Sequence, residues 1–147
     1  MTRPALVPLA LAWGFLFAPP APPAPPAPAR VADWPSGHYT GRLVRIIDGD
    51  TFVVKIRHAP FISSDEPEVR LSGIDTPETD GRDRVAGRAA AAHLRGLLEG
   101  QVVYLRFTGA RTFTRFVAYA WVEGEGGRLE DVGDLMVAAG HAVRVDR

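Results

Sequence analysis

Hydrophobic and polar positions change their spacing several times along the chain. "HYTGRLVRIIDGDTFVVKIRH" holds two runs of β-branched and aliphatic residues, Leu43 to Ile47 and Phe52 to Ile56, with Asp-Gly between them. That composition suits strands and Asp-Gly is a turn or bulge signal, so two strands meeting near Asp48 to Asp50 are predicted. A polar loop, "APFISSDEP", leads to "EVRLSGI", where Val69, Leu71 and Gly73 alternate with Arg70, Ser72 and Ile74 as a third strand. "DTPETDGRDR", with Pro77 and Gly81, breaks the alternation. "VAGRAAAAHLRGLLEG", Val85 to Gly100, is rich in alanine and leucine and ends on a glycine suited to stopping a helix. "QVVYLRF" and "RFVAYAWV", joined by "TGARTFT", give a fourth and fifth strand. "LEDVGDLMVAAG" reads as a second, shorter helix with Leu135 and Val137 or Ala138 on its apolar side and Gly140 as its stop, and "HAVRV" closes as a short strand.

Three strands, a helix, two strands and a helix predict an α+β domain: a small five-stranded β-barrel of the OB type with two packed helices. Closure removes the edges that short strands would otherwise leave open.

The first thirty residues follow a different pattern. Arg3 precedes an apolar stretch from Ala5 to Ala18, within the roughly 7 to 15 residues of a signal-peptide core and short of the ~20 needed to span a bilayer. Residues 1–18 are therefore predicted as a secretory signal, with cleavage as late as Ala27-Pro28-Ala29 and an uncleaved anchor as the alternatives. "APPAPPAPPAPAR" is an extended polyproline-type spacer, so residues 18–36 are read as a linker and 37–147 as the globular domain. The protein is expected to be secreted or periplasmic, with no stable membrane span, and to act as a monomer. The chain has no cysteine, which excludes disulfides and thiolate metal sites and suits an exported protein that needs no oxidative staple.

Composition adds little: 46% hydrophobic and 23% charged residues are ordinary for a soluble protein. Charge is more selective. Basic and acidic residues number 17 each, and setting aside Arg3 and Arg30 leaves the globular part slightly acidic, which argues against a general nucleic-acid coat. Lys55 is the one lysine; the other cations are arginines, suited to fork-like contacts with carboxylate or phosphate.

Carboxylates cluster at two positions that follow strands, Asp48 with Asp50 and Asp75 with Glu78. In a closed barrel the ends of the first and third strands can lie together and form one acidic pocket. A hard cation such as Ca²⁺, with about six to eight oxygen ligands, would suit it. Either stretch taken alone is ordinarily just a turn. An EF-hand register fails, because with Asp48 in the first place the fifth, sixth and twelfth fall on Phe52, Val53 and Ala59. His38, His58, His93 and His141 are scattered and include no HExxH pair. Arg70 lies five residues before Asp75, and Arg115 opens the fifth strand. Guanidinium groups beside a metal pocket bind a phosphodiester and stabilise the added charge of its transition state.

"IIDGDT", "VRLSGIDTPE" and "TRFVAYAWV", in that order with a helix between the second and third, resemble the staphylococcal nuclease (thermonuclease) family over roughly His38 to Val145. "DLMVAAGHAV" extends the likeness. The resemblance implies an OB-fold and Ca²⁺-dependent hydrolysis of DNA and RNA phosphodiesters. It implies Asp50 and Asp75 as carboxylate ligands of Ca²⁺, the carbonyl of Thr76 as a further ligand, and Asp48 in the outer part of the site. Glu78 would orient or deprotonate the attacking water, and Arg70 and Arg115 would bind phosphate.

Three departures accompany the resemblance: Phe113-Thr114 stands where the family usually has Tyr-Gly, the chain stops soon after its last strand, and flanking lysines are missing. The other classes weighed are a non-catalytic OB-type module binding single-stranded nucleic acid or a protein, and a stalked envelope protein with a structural Ca²⁺ site. The complete acid set favours the nuclease, since carboxylates gathered without a cation would repel phosphate.

Overall fold

The computed structural model describes residues 38–56 and 64–146. The signal segment, the Pro/Ala tract and much of the polar loop after the second strand lie outside the described residues. The elements in chain order are β1 (Tyr39–Ile46), β2 (Thr51–Ile56), β3 (Glu68–Leu71), β4 (Ile74–Asp75), α1 (Arg84–Leu98), β5 (Val103–Thr112), β6 (Arg115–Glu123), β7 (Leu129–Asp131), α2 (Val132–Ala138) and β8 (Val143–Arg144).

β1 pairs antiparallel with β2 and β5, β2 with β3, and β5 with β6. The ring closes where β3 runs parallel to β6, Val69 opposite Phe116 and Leu71 opposite Ala118. Five strands form the expected barrel. The expected third strand is two: Gly73, at φ +74°, turns the chain after β3, and β4 pairs instead with β8. The expected linker "TGARTFT" is largely strand, because β5 continues to Thr112 across a register shift between Phe107 and Arg111. Gly109, at φ +83°, supplies the bulge conformation that other residues resist.

The second helix is shorter than expected. Residues 129–131 pair with β6 as β7, and Asp131 caps α2, its carboxylate accepting from Asp134 N at 2.9 Å. Val132 and Met136, four apart, are its buried edge, while Leu135 and Val137 are only partly buried. Both helices cover the barrel core. Ala90, Leu94 and Leu98 of α1 pack with Phe52, Val54, Val69 and Leu105 in one cluster, joined by Val132 and Met136. No helix among the described residues is long and apolar enough to cross a membrane.

Candidate functional site

The turn between β1 and β2 carries Asp48 and Asp50. Asp50 N donates to Asp48 Oδ1 at 3.2 Å, which folds the turn on itself. Gly49 sits between them against the loop after β4: a Cβ there would fall 2.8 Å from Thr76 Oγ1 and 2.7 Å from Ala90 of α1. Thr76 is thereby held beside the aspartates of a turn far from it in sequence.

Asp50 is 2% exposed, and its carboxylate is gripped by Arg70 from β3. Arg70 Nη1 donates to Asp50 Oδ1 at 3.0 Å and Nη2 stands 2.7 Å from Oδ2, while the Thr51 hydroxyl donates to Oδ1 at 2.8 Å. The same Nη2 donates to Asp75 Oδ1 at 2.7 Å. One guanidinium therefore joins two carboxylates from separate loops, and Asp75 is the more exposed of the two. Burial pushes the Asp50 carboxyl up to about 7; Asp48 pushes it the same way, and Arg70 and Thr51 pull it back. The cluster thus holds more acid than a single arginine neutralises.

Glu78 is exposed at the start of the loop leading to α1. Its backbone rests on the helix, since a Cβ on Gly87 would fall 2.1 Å from the Glu78 carbonyl oxygen. Arg115 is placed differently from the expectation that it faces the acids: its Nε donates to Glu68 Oε1 at 2.6 Å. Glu68 and Arg70 alternate onto one face of β3, and the parallel register sets Arg115 next to Glu68. That bond uses Nε alone of the guanidinium nitrogens. Glu68 and Gly87 were missed in the sequence. The available signals were the same-face Glu-x-Arg spacing of "EVR" and a glycine inside a helical pattern.

Two acids of the expected pocket, Asp50 and Asp75, are gathered around Arg70, with Asp48 bonded to Asp50 in the same turn. Among the described residues no three His, Asp or Glu side chains stand ready as a metal cage. The chemistry of the set still fits a hard cation: the donors are all oxygens, and a cation there would offset the burial that disfavours the charged form of Asp50. A cleft of about 300 Å³ adjoins the cluster, lined by Arg70, Leu71, Thr112, Val117 and Tyr119 among others. The scattered histidines are partly reunited elsewhere, where His93 and His141 stack at 4.7 Å between centroids. Burial lowers the pKa of His93, and His141 adds to the effect.

The family model for staphylococcal nuclease homologues matches residues 68–147. The chain belongs to that family. The match spans β3 to the C-terminus, so it includes Arg70, Asp75, Thr76, Glu78 and Arg115, while Asp48 and Asp50 precede it. No curated protein matches the chain significantly. Within a family that is generally nucleolytic and Ca²⁺-dependent, the hairpin before Arg115 has its own solution. The positive φ, +55°, falls on Phe113 rather than on Thr114, and Thr112 pairs with Arg115 across a two-residue turn. Thr114 is spared the strain its side chain would resist, and the exposed Phe113 takes it instead.

Proposed function

We propose that the protein is an exported, Ca²⁺-dependent nuclease that hydrolyses phosphodiester bonds of single-stranded or frayed DNA and RNA with little sequence preference. The observation that carries this reading is the single guanidinium of Arg70 bonded to both Asp50 and Asp75 beside an open cleft. Asp50, Asp75 and the Thr76 carbonyl would hold the cation, with Asp48 behind them. When bound, the cation polarises the phosphate and lowers the pKa of a coordinated water.

The remaining work falls to side chains. Arg70 exchanges a carboxylate oxygen for a phosphate oxygen, using the fork that already spans two acceptors. Arg115, steadied through Nε by Glu68, offers its terminal nitrogens to the same phosphate. Glu78 is exposed and free of the Arg70 cluster, so its carboxylate can orient the attacking water and take its proton. Export rests on the apolar segment from Ala5 to Ala18 and the proline tract behind it.

The second reading, an OB-type binding module, is favoured by one observation: no three-carboxylate group stands assembled among the described residues. Cleavage of denatured DNA and of RNA in Ca²⁺, Mg²⁺ and chelator, alongside Glu78→Gln and Arg70→Ala, separates the two. Ca²⁺-dependent cleavage that collapses in both variants supports the nuclease. A folded wild type that cleaves neither polymer at low salt, yet binds them, leaves the binding module.

A further inference from the structure

α1 carries a row of arginines that helix stability does not explain. Arg84, Arg88 and Arg95 are all exposed. At about 100° per residue they fall within about 40° of one another and span about 16 Å of helix axis. They lie about a quarter turn from the buried edge of Gly87, Ala90, Leu94 and Leu98. None makes an ion pair among the described residues.

Local electrostatics opposes two of the three. A helix N-terminus favours acids, yet α1 opens on Arg84 and has no acid in its first turn. Arg84 and Arg88 are also a like-charged pair at i and i+4, which is destabilising. Only Arg95, in the last turn, has a favourable place. Asp80 and Asp83, ahead of the helix, are the only acids from residue 80 to residue 98, against four arginines, and Asp83 makes no side-chain cap bond. The position of the row matters as much as its sign. Glu78 rests its carbonyl on Gly87, so the arginines begin beside the candidate site and lead away from it.

We propose that Arg84, Arg88 and Arg95 form a second binding site for the phosphodiester backbone, gripping a single strand a few nucleotides from the bond being cut. The proposal rests on the nucleic-acid reading of the Asp50, Arg70 and Asp75 site and adds a dependence on strand length. A substrate of two nucleotides reaches the site alone; a long strand reaches the site and the row. The row also gives a chain without net charge a local means of capturing a polyanion.

The test compares the full chain with Arg88→Ala/Arg95→Ala and Arg88→Lys/Arg95→Lys. Binding of a labelled 20-nucleotide single strand is measured in chelator across a salt series, and cleavage of that strand and of a dinucleotide is measured with Ca²⁺. Circular dichroism confirms that each variant is folded. The alanine variant is expected to bind the strand about tenfold more weakly, with a salt slope shallower by about 1.4, two contacts at about 0.7 each. The lysine variant retains the wild-type slope, and dinucleotide cleavage is unchanged in all three. An unaltered affinity and slope in the folded alanine variant overturn the row, even where cleavage establishes the nuclease. Strand binding that weakens as expected in a protein that cuts neither substrate upholds the row and overturns the nuclease.

Discussion

Arg70 and Asp50 form a deeply buried ion pair. Removing Arg70 leaves a nearly inaccessible carboxylate with the Thr51 hydroxyl and the Asp48 side chain for company, and stranding one member of a buried ion pair costs about 3–5 kcal/mol. Arg70→Ala is therefore expected to lower urea-unfolding stability in chelator by that order, and Asp50→Asn in the same chain to recover much of the loss. An additive double-mutant cycle would refute the coupling. Asp131 makes a different case. Burial raises its carboxyl to about 6, against the pull of Arg144, the Gly133 N–H and Arg106, and its Oδ2 finds no hydrogen-bond partner among the described residues. The folded state then holds a proton that the unfolded state has released. That stabilisation is complete below about pH 4 and is lost as pH rises through about 6. Asp131→Asn keeps the capping oxygen, so its thermal midpoint should gain on wild type between pH 4 and pH 7; a constant difference refutes the shift. The pairing of Arg70 with Asp50 and Asp75 was legible because those residue types and their order carry the chemistry. Glu68 was not, since its bond to Arg115 spans 47 residues and exists only in the parallel register of β3 with β6.

Within α1, two glycines test what the helix is for. Gly96 meets nothing within 4 Å of an added Cβ, so Gly96→Ala should stabilise the protein by about 0.5–1 kcal/mol through backbone entropy alone. Gly87 meets the Glu78 and Pro77 carbonyls, at 2.1 and 2.8 Å. Backbone cannot rotate aside, so Gly87→Ala should cost about 1–3 kcal/mol despite the better helix former. It should also shift Glu78 and reduce turnover. Equal effects at the two positions, read by denaturant midpoints, would show that α1 does not hold the loop. α1 was legible from its periodicity, with ends off by a residue or two. β4 and β7 were not, because two or three residues offer too little alternation to read and owe their strand conformation to partners elsewhere in the fold, whereas the short closing strand β8 was expected.

For the molecule as a whole, closure of the barrel couples the candidate site to folding. Asp50 comes from the β1–β2 turn, whereas Asp75 lies in β4, whose partner is the C-terminal strand β8. The five strands and the barrel followed from the order of hydrophobic runs, but the β2–β3 register that sets Arg70 beside Asp50, with Thr51 opposite Arg70, and the β3–β6 pairing that closes the ring leave no local trace in the sequence. A cation shared by Asp50 and Asp75 would bind only the folded chain, because the unfolded chain presents no such pair. It would therefore stabilise the fold by about 2.7 kcal/mol at a hundred times its dissociation constant. The thermal midpoint is expected to rise from chelator through millimolar Ca²⁺ and to keep rising with the logarithm of concentration. Asp75→Asn should flatten that rise while leaving the midpoint in chelator nearly unchanged, since Asp75 is the more exposed partner of Arg70. A wild-type midpoint indifferent to Ca²⁺ would separate the fold from the metal chemistry of its family, and would leave Arg70 as a structural clamp between two loops.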